Sequence, residues 1–312
     1  MAAPTPLSRR QVLALAAGAG GLALLGTRTA EAGTKGRPML TRKHPRSGEA
    51  LPVIGLGTWQ TFDVGTDAAE RAPLRQVLQR FLEAGGRVID SSPMYGRAEQ
   101  VVGELLAELG EQSKPFLATK VWTSGKAAGE QQMRDSARKM GQGRMDLMQI
   151  HNLLDWRTHL PVLREWKAAG RFRYLGITHY QLSAFDELEK LMREEALDFV
   201  QLPYSLAVRE AEKRLLPVAA ETGTAVLVMR PFESGALFRQ VRGKSLPAWA
   251  ADFDCTSWAE FFLKYLLGHP AVTCPLPATS NPRHLEDNLR AGTGRLPDEK
   301  TRARMVEHLG LK

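Results

Sequence analysis

The sequence predicts an α/β protein in which eight parallel strands and their helices close into a (β/α)8 TIM barrel, with an N-terminal hairpin or arm ahead of it. Three observations carry this. From Leu51 onward, short apolar runs alternate with amphipathic stretches and the alternation never breaks, which implies parallel strands joined by right-handed crossovers. Eight such units are present, the number that closes a barrel. The open doubly wound sheet shares the alternation, but it normally carries a glycine-rich first turn. Here Gly55-Leu56-Gly57-Thr58-Trp59-Gln60 lacks the third glycine.

The strands are expected at Val53–Thr58, Arg87–Ser91, Phe116–Val121, Met145–His151, Tyr174–Thr178, Phe199–Pro203, Ala225–Arg230 and Val272–Pro277. Apolar runs of this length bounded by turn residues suit strands buried on both faces. Helical periodicity places helices at Ala69–Ala84, Ala98–Leu109, Gly129–Met140, His159–Ala169, Leu182–Arg193, Glu210–Glu221, Ser257–Leu267 and Arg283–Leu289, with another from Asp298 to Leu309. Met39 to Glu49 reads as the hairpin or arm. The domain organisation is therefore 1–32 export signal, 33–50 linker and hairpin, and 51–312 barrel.

The first 32 residues have the order of a signal peptide. Ser8-Arg9-Arg10-Gln11-Val12-Leu13 precedes an apolar run from Ala14 to Leu25, and Ala30-Glu31-Ala32 supplies a small-residue cleavage site. The paired arginines are similar to the twin-arginine type, and the apolar run is short for a membrane span. The mature protein is expected to be periplasmic or secreted through the twin-arginine machinery, with no stable span after cleavage, and cytoplasmic if the signal is unused. Gly18-Ala19-Gly20-Gly21-Leu22-Ala23 matches a dinucleotide fingerprint, but inside the signal it lacks the strand–turn–helix setting that gives the pattern meaning.

Net charge is +8, of which the signal supplies two (Arg9, Arg10 and Arg28 against Glu31). The remaining basic residues are spread along the chain. A nucleic-acid reader would gather them on one face with aromatics between them, so no nucleic-acid partner is expected. Cys255 and Cys274 form neither a C-x-x-C nor a zinc spacing.

In this barrel class the chemistry sits at the C-terminal strand ends and the loops that follow. The second strand ends in Asp90-Ser91-Ser92-Pro93-Met94-Tyr95-Gly96, the third at Lys120 and the fourth at His151. A lone strand-end histidine is more often a satisfied packing residue, and a lone lysine often points to solvent. Four such groups on three consecutive strand ends can converge above the barrel. A lysine beside a phenol favours the phenolate, the aspartate would hold that lysine charged, and the histidine can donate to a substrate carbonyl. These are the parts of a proton donor for carbonyl reduction.

The chain resembles the aldo-keto reductase family from about Leu40 to Leu309. The resemblance rests on Gly55-Leu56-Gly57-Thr58-Trp59, Ile89-Asp90-Ser91-Ser92-Pro93-Met94-Tyr95-Gly96, Thr119-Lys120-Val121-Trp122 and Met145-Asp146-Leu147-Met148-Gln149-Ile150-His151. It implies reversible hydride transfer between a nicotinamide and an aldehyde or ketone, with Tyr95 as general acid/base, Lys120 and Asp90 tuning it, and His151 orienting the carbonyl. It also implies that Gly57, Thr58 and Gln201 touch the nicotinamide end, with Thr178-His179 where the family usually has Ser-Asn. After the seventh strand, where many members place a tyrosine under the ring, this chain has Arg230-Pro231-Phe232. Thr279, Arg283, His284, Asp287 and Asn288 fall in the adenosine-phosphate segment. Ala278 and His284 stand where members that grip the 2′-phosphate often have Lys and Arg. NADP(H) is the default the resemblance implies, with NAD(H) or dual use open.

Trp59, Trp122 and Trp156 are the expected apolar walls of an open, shallow substrate pocket for a small carbonyl compound. No metal is expected, since the first strand lacks the H-x-H of metal-dependent barrel hydrolases. A monomer is expected. The alternative of another class is a non-catalytic nucleotide-binding or redox-sensing protein on the same scaffold, which would need no tuned Tyr–Lys pair.

Overall fold

The computed structural model describes residues 37–112, 114–141 and 143–311; the expected signal over 1–32 lies outside them. A two-stranded antiparallel hairpin, β1 (Thr41–Lys43) and β2 (Ala50–Pro52), comes first. Eight parallel strands follow: β3 (Leu56–Gly57), β4 (Val88–Asp90), β5 (Phe116–Val121), β6 (Met145–Ile150), β7 (Phe172–Thr178), β8 (Phe199–Pro203), β9 (Ala225–Met229) and β10 (Val272–Pro275). Each pairs with its neighbour in chain order. The ring closes where Gly57 meets Ala278 in a parallel bridge. Gly55 N–H donates to the Pro275 carbonyl at 3.0 Å and Gly57 N–H to the Pro277 carbonyl at 3.1 Å. A Cβ on Gly57 would come within 2.9 Å of the Leu276 carbonyl oxygen, so this seam needs a glycine.

The helices are α1 (Ala68–Glu83), α2 (Ala98–Leu109), α3 (Lys126–Lys139), α4 (Trp156–Ala168), α5 (Phe185–Glu194), α6 (Glu210–Lys213), α7 (Leu215–Thr222), α8 (Ala236–Gln240), α9 (Trp258–Leu267), α10 (Pro282–Arg290) and α11 (Glu299–His308). Asp67 caps α1 by accepting from the Ala69 and Glu70 amides, and Asn281 caps α10 by accepting from Arg283 N–H. These side chains satisfy amides that would otherwise be orphaned. The helix expected over Glu210–Glu221 is broken at Arg214, whose φ of −138° is non-helical. Pro217 has no amide hydrogen to give and suits only a first turn, so a new helix starts at Leu215. Arg214 uses the break to bridge Asp186 and Glu189. Between β9 and α9, where the sequence pattern assigned nothing, the chain forms α8 and a 3-10 turn over Ala248–Phe253.

Two apolar cores result. One lies between the strands and the helical layer. The other fills the barrel with alternate residues of successive strands: Val88, Phe116, Ala118, Leu147, Tyr174, Phe199, Ala225, Leu227 and Cys274. Leu51 of β2 is fully buried in this second cluster, so the hairpin plugs the N-terminal end. Hairpin residue His44 stacks on Tyr174 and packs against Phe199, each at 4.9 Å. Tyr174 OH donates to Glu49 at 2.7 Å, and Glu49 also holds Arg173. Cys255 and Cys274 are buried free thiols. Among the described residues no helix is long and apolar enough to cross a membrane.

Candidate active site

Side chains alternate across a strand with period two, so the residue two beyond each apolar barrel-filling residue also faces inward. Following Val88 inward gives Asp90. Ala118 leads to Lys120, Leu147 to Gln149, Tyr174 by way of Gly176 to Thr178, and Phe199 to Gln201. The interior is therefore apolar for most of its depth and polar at its C-terminal layer. All five of these residues are buried.

An ion pair organises this layer. Lys120 Nζ lies 2.6 Å from Asp90 Oδ2 and donates to the Ser91 carbonyl at 2.8 Å. Asp90 Oδ1 accepts from Gln149 Nε2 and from Gln201 Nε2, both at 3.0 Å. Thr58 Oγ1 sits 3.0 Å from the Asp90 carbonyl and from Ser91 Oγ, tying β3 to β4. Lys120 is 0% and Asp90 3% exposed. Burial by itself would push the Lys120 ammonium down, but Asp90 and Tyr95 outweigh it and hold Lys120 above its ordinary value.

Tyr95 follows β4 in a turn closed by its own N–H, which donates to the Ser92 carbonyl at 2.9 Å. Its ring centroid is 4.9 Å from Lys120 Nζ and 5.7 Å from the His151 ring, edge to face. The phenol lies above its ordinary value. Burial is the main cause, and Asp90 adds to it, while Lys120 pulls the other way. The expectation that the lysine lowers the phenol is right for its own contribution, but burial reverses the net direction. His151, at the end of β6, is pushed down to about 3 by burial, with the Lys120 charge and His179 adding to the effect. It is neutral in the physiological range. Its Nδ1 faces Ser92 Oγ at 2.8 Å, and that oxygen also accepts the Met94 amide at 3.2 Å.

The remaining candidates fall into three groups. Thr178 ends β7 opposite Gln201, and its hydroxyl is buried without a partner among the described residues. His179 follows it, with Nδ1 accepting from Gln181 N–H at 3.1 Å. After β9, Arg230 pairs with Glu233 at 3.2 Å, and Phe232 packs on Phe238 at 4.8 Å. At the seam, Thr279 is buried, with its hydroxyl accepting from Asn281 N–H. Arg283 and His284 are exposed in the first turn of α10, Asn288 is buried, and Asp287 pairs with Arg290.

Trp59 and Trp122 are 44% and 41% exposed, and the Trp122 ring is 6.3 Å from His151. Trp156 instead packs partly buried against the outer core, with Arg157 over its ring at 4.3 Å. Met94, Tyr180, Leu182 and Phe238 are also large exposed apolar side chains, and all of them follow C-terminal strand ends. Sequence reading missed these four and also Gln149 and Ser92. Two surface cavities, about 360 Å³ beside the hairpin (Arg42, Leu216, His269) and about 510 Å³ between α3 and α4 (Met133, Trp166, Arg171), contain none of the site residues.

Backbone strain gathers at the same end. Gln60, Asn152, Leu153, Asp155, Arg230, Glu233 and Ser234 all take positive φ in loops that follow β3, β6 and β9. Non-glycine residues in this region cost energy, and they cluster at functional sites.

Residues 53–306 match the aldo/keto reductase family. The chain belongs to that family. It is 27% identical over 246 residues to the methylglyoxal reductase YeaE of Escherichia coli, covering 77% of this chain and 84% of the relative. An NADH-specific methylglyoxal reductase of the same organism is 27% identical over 237 residues, 64% of this chain and 69% of that one. In fold the chain is similar to an aldo/keto reductase from Klebsiella pneumoniae solved with NADP and acetate. The TM-score is 0.72 at 24% identity, over 89% of this chain and 97% of the other.

The buried pair makes a direct prediction. Lys120→Met leaves Asp90 buried without its cation and should destabilise the protein by about 3–5 kcal/mol. Adding Asp90→Asn to the same chain should recover much of that loss. Equal denaturant midpoints for Lys120→Met and wild type would mean that the pair is not holding the layer together.

Proposed function

We propose that this aldo/keto reductase reduces aldehydes or ketones to alcohols with a nicotinamide cofactor, and that Tyr95 delivers the proton. The observation that carries the reading is the juxtaposition at the mouth: a half-buried phenol and a neutral histidine backed by the Lys120–Asp90 pair. When bound, the reduced nicotinamide supplies the hydride. Tyr95, held protonated at neutral pH by burial, donates its hydrogen to the carbonyl oxygen, and the resulting phenolate is favoured by the adjacent ammonium of Lys120. Ser92 donates to His151 Nδ1, which leaves Nε2–H to hydrogen-bond and orient the carbonyl.

The residues present fit a nicotinamide nucleotide. The unpartnered Thr178 hydroxyl, His179, the Gln201 amide and Gly57-Thr58 offer polar groups for the ring end. Arg230 and Phe232 flank the path after β9. The capped N-terminus of α10, with Thr279, Arg283, His284, Asp287 and Asn288, suits the adenosine phosphates, since helix N-termini favour anions. NADP(H) is the expected cofactor, with Arg283 as the cation for the 2′-phosphate in the absence of charge at Ala278.

Residues 1–32 we read as a twin-arginine-type export signal, on the order of basic, apolar and small-residue segments. The barrel, expected to be monomeric, would then act in the periplasm or outside the cell with cofactor loaded before transport.

Three measurements test this. Tyr95→Phe should lower kcat for aldehyde reduction by about 10²- to 10⁴-fold with NADPH affinity unchanged, and wild-type kcat should stay flat through neutral pH because the phenol is raised. Equal rates in both enzymes would overturn the acid role, and NADPH binding without turnover would favour the non-catalytic alternative. Arg283→Ala should weaken NADPH by about 1.5–3 kcal/mol while sparing NADH; equal losses would remove Arg283 from the 2′-phosphate. Replacing Arg9 and Arg10 with lysine should retain the protein in the cytoplasm of a bacterial host, and an unchanged periplasmic fraction would refute the signal.

A further inference from the structure

A second inward-facing amide, beside that of Gln201, completes the set around Asp90. Gln149 is one of the last residues of β6, in register with Lys120 on one side and Gly176 on the other. A Cβ on Gly176 would lie 3.3 Å from Gln149 Cγ and 2.8 Å from the Phe199 carbonyl oxygen, so the glycine gives the amide room to cross the barrel. The side chain is fully buried, with Nε2 on Asp90 Oδ1 at 3.0 Å and Oε1 without a partner among the described residues. Turning the amide over would set Oε1 against a carboxylate oxygen, so the anion dictates its orientation.

We propose that Gln149 is a positioning residue for the proton-donating site: its N–H, with that of Gln201, occupies Oδ1 and so leaves Oδ2 for Lys120. Asp90 thereby has its two oxygens divided, one for two neutral donors and one for the ammonium. A buried carboxylate gains from each donor it accepts. Spreading its charge over two amides also weakens the negative potential that Asp90 exerts on the Tyr95 phenol. The charged and titratable groups facing that phenol are Lys120 from β5, Asp90 from β4 and His151 after β6. Removing the Gln149 donor should therefore make Tyr95 harder to ionise. The inference deepens the reading of Tyr95 as acid and rests on it for its catalytic meaning.

The test compares Gln149→Met and Gln149→Glu with wild type. Two readouts are used: the alkaline limb of alcohol oxidation with NADP⁺, and the titration of ¹³Cζ-labelled tyrosine, with the Tyr95 signal assigned by its loss in Tyr95→Phe. Gln149→Met keeps the length and removes the donor. Both midpoints should rise by about 0.5–1 pH unit, kcat for reduction should fall several-fold, and KM for NADPH should hold. Gln149→Glu donates only while its own carboxyl is protonated, so its activity relative to wild type should decline as pH rises. A lower melting temperature with both midpoints unmoved would overturn the proposal and leave Gln149 a packing residue. If Gln149→Met does not fold, a pH-independent activity ratio for Gln149→Glu overturns it equally. Should wild type show no turnover while the tyrosine titration still moves, the reductase reading fails and the positioning role stands.

Discussion

An ammonium inside a barrel of apolar side chains cannot persist without an anion, and an anion there cannot persist without donors. Lys120 is fully buried and Asp90 is its only acidic contact within hydrogen-bonding distance among the described residues. The penalty for removing both charges from water is several kcal/mol each, by an order-of-magnitude rule. Contact at 2.6 Å offsets part of it. The Ser91 carbonyl, Gln149 and Gln201 offset more by satisfying the remaining donors and lone pairs. The pair therefore demands partners from β4, β5, β6 and β8 at once, and a register slip of one residue in any of these strands would turn its partner out of the barrel.

The rest of the architecture serves that layer. Below it, Phe116, Tyr174 and Phe199 fill the barrel, with His44 and Leu51 of the hairpin stacked beneath them. The N-terminal end is thereby filled with buried side chains. At that side the Gly55–Gly57 seam brings β3 against the Pro275–Ala278 segment, which places Thr58 over Asp90 and joins the seam to the charged pair. Gly57, a candidate cofactor contact, thus has a structural duty of its own.

Above the layer the chain changes character. Loops after β3, β6 and β9 hold residues at positive φ, and Trp59, Met94, Trp122, Tyr180, Leu182 and Phe238 leave apolar surface exposed around the opening. The contrast between a sealed, charge-paired floor and a strained, apolar rim is what makes one end of the barrel chemically distinct from the other.

The eight-fold alternation of strands and helices was readable because apolar periodicity is a local property, and so were Asp90, Tyr95, Lys120 and His151 as polar residues at strand ends. Gln149 was also within reach, since it continues the inward parity of Leu147, but a polar residue inside an apolar run gives no sign of what it will face. The break at Arg214 depends on Pro217 and on acids from α5, and the net rise of the Tyr95 phenol depends on how deeply the ring is buried. Trp156 and Trp122 look alike in the chain, yet one packs against the outer core and the other stands beside His151. Strand and helix alternation and the chemical inventory at the strand ends are legible in the chain, because both follow from short-range pattern. Which donors converge on Asp90, which way the phenol shifts and which aromatics reach the mouth are set by the folded barrel, because burial and convergence arise when distant strands close on one another.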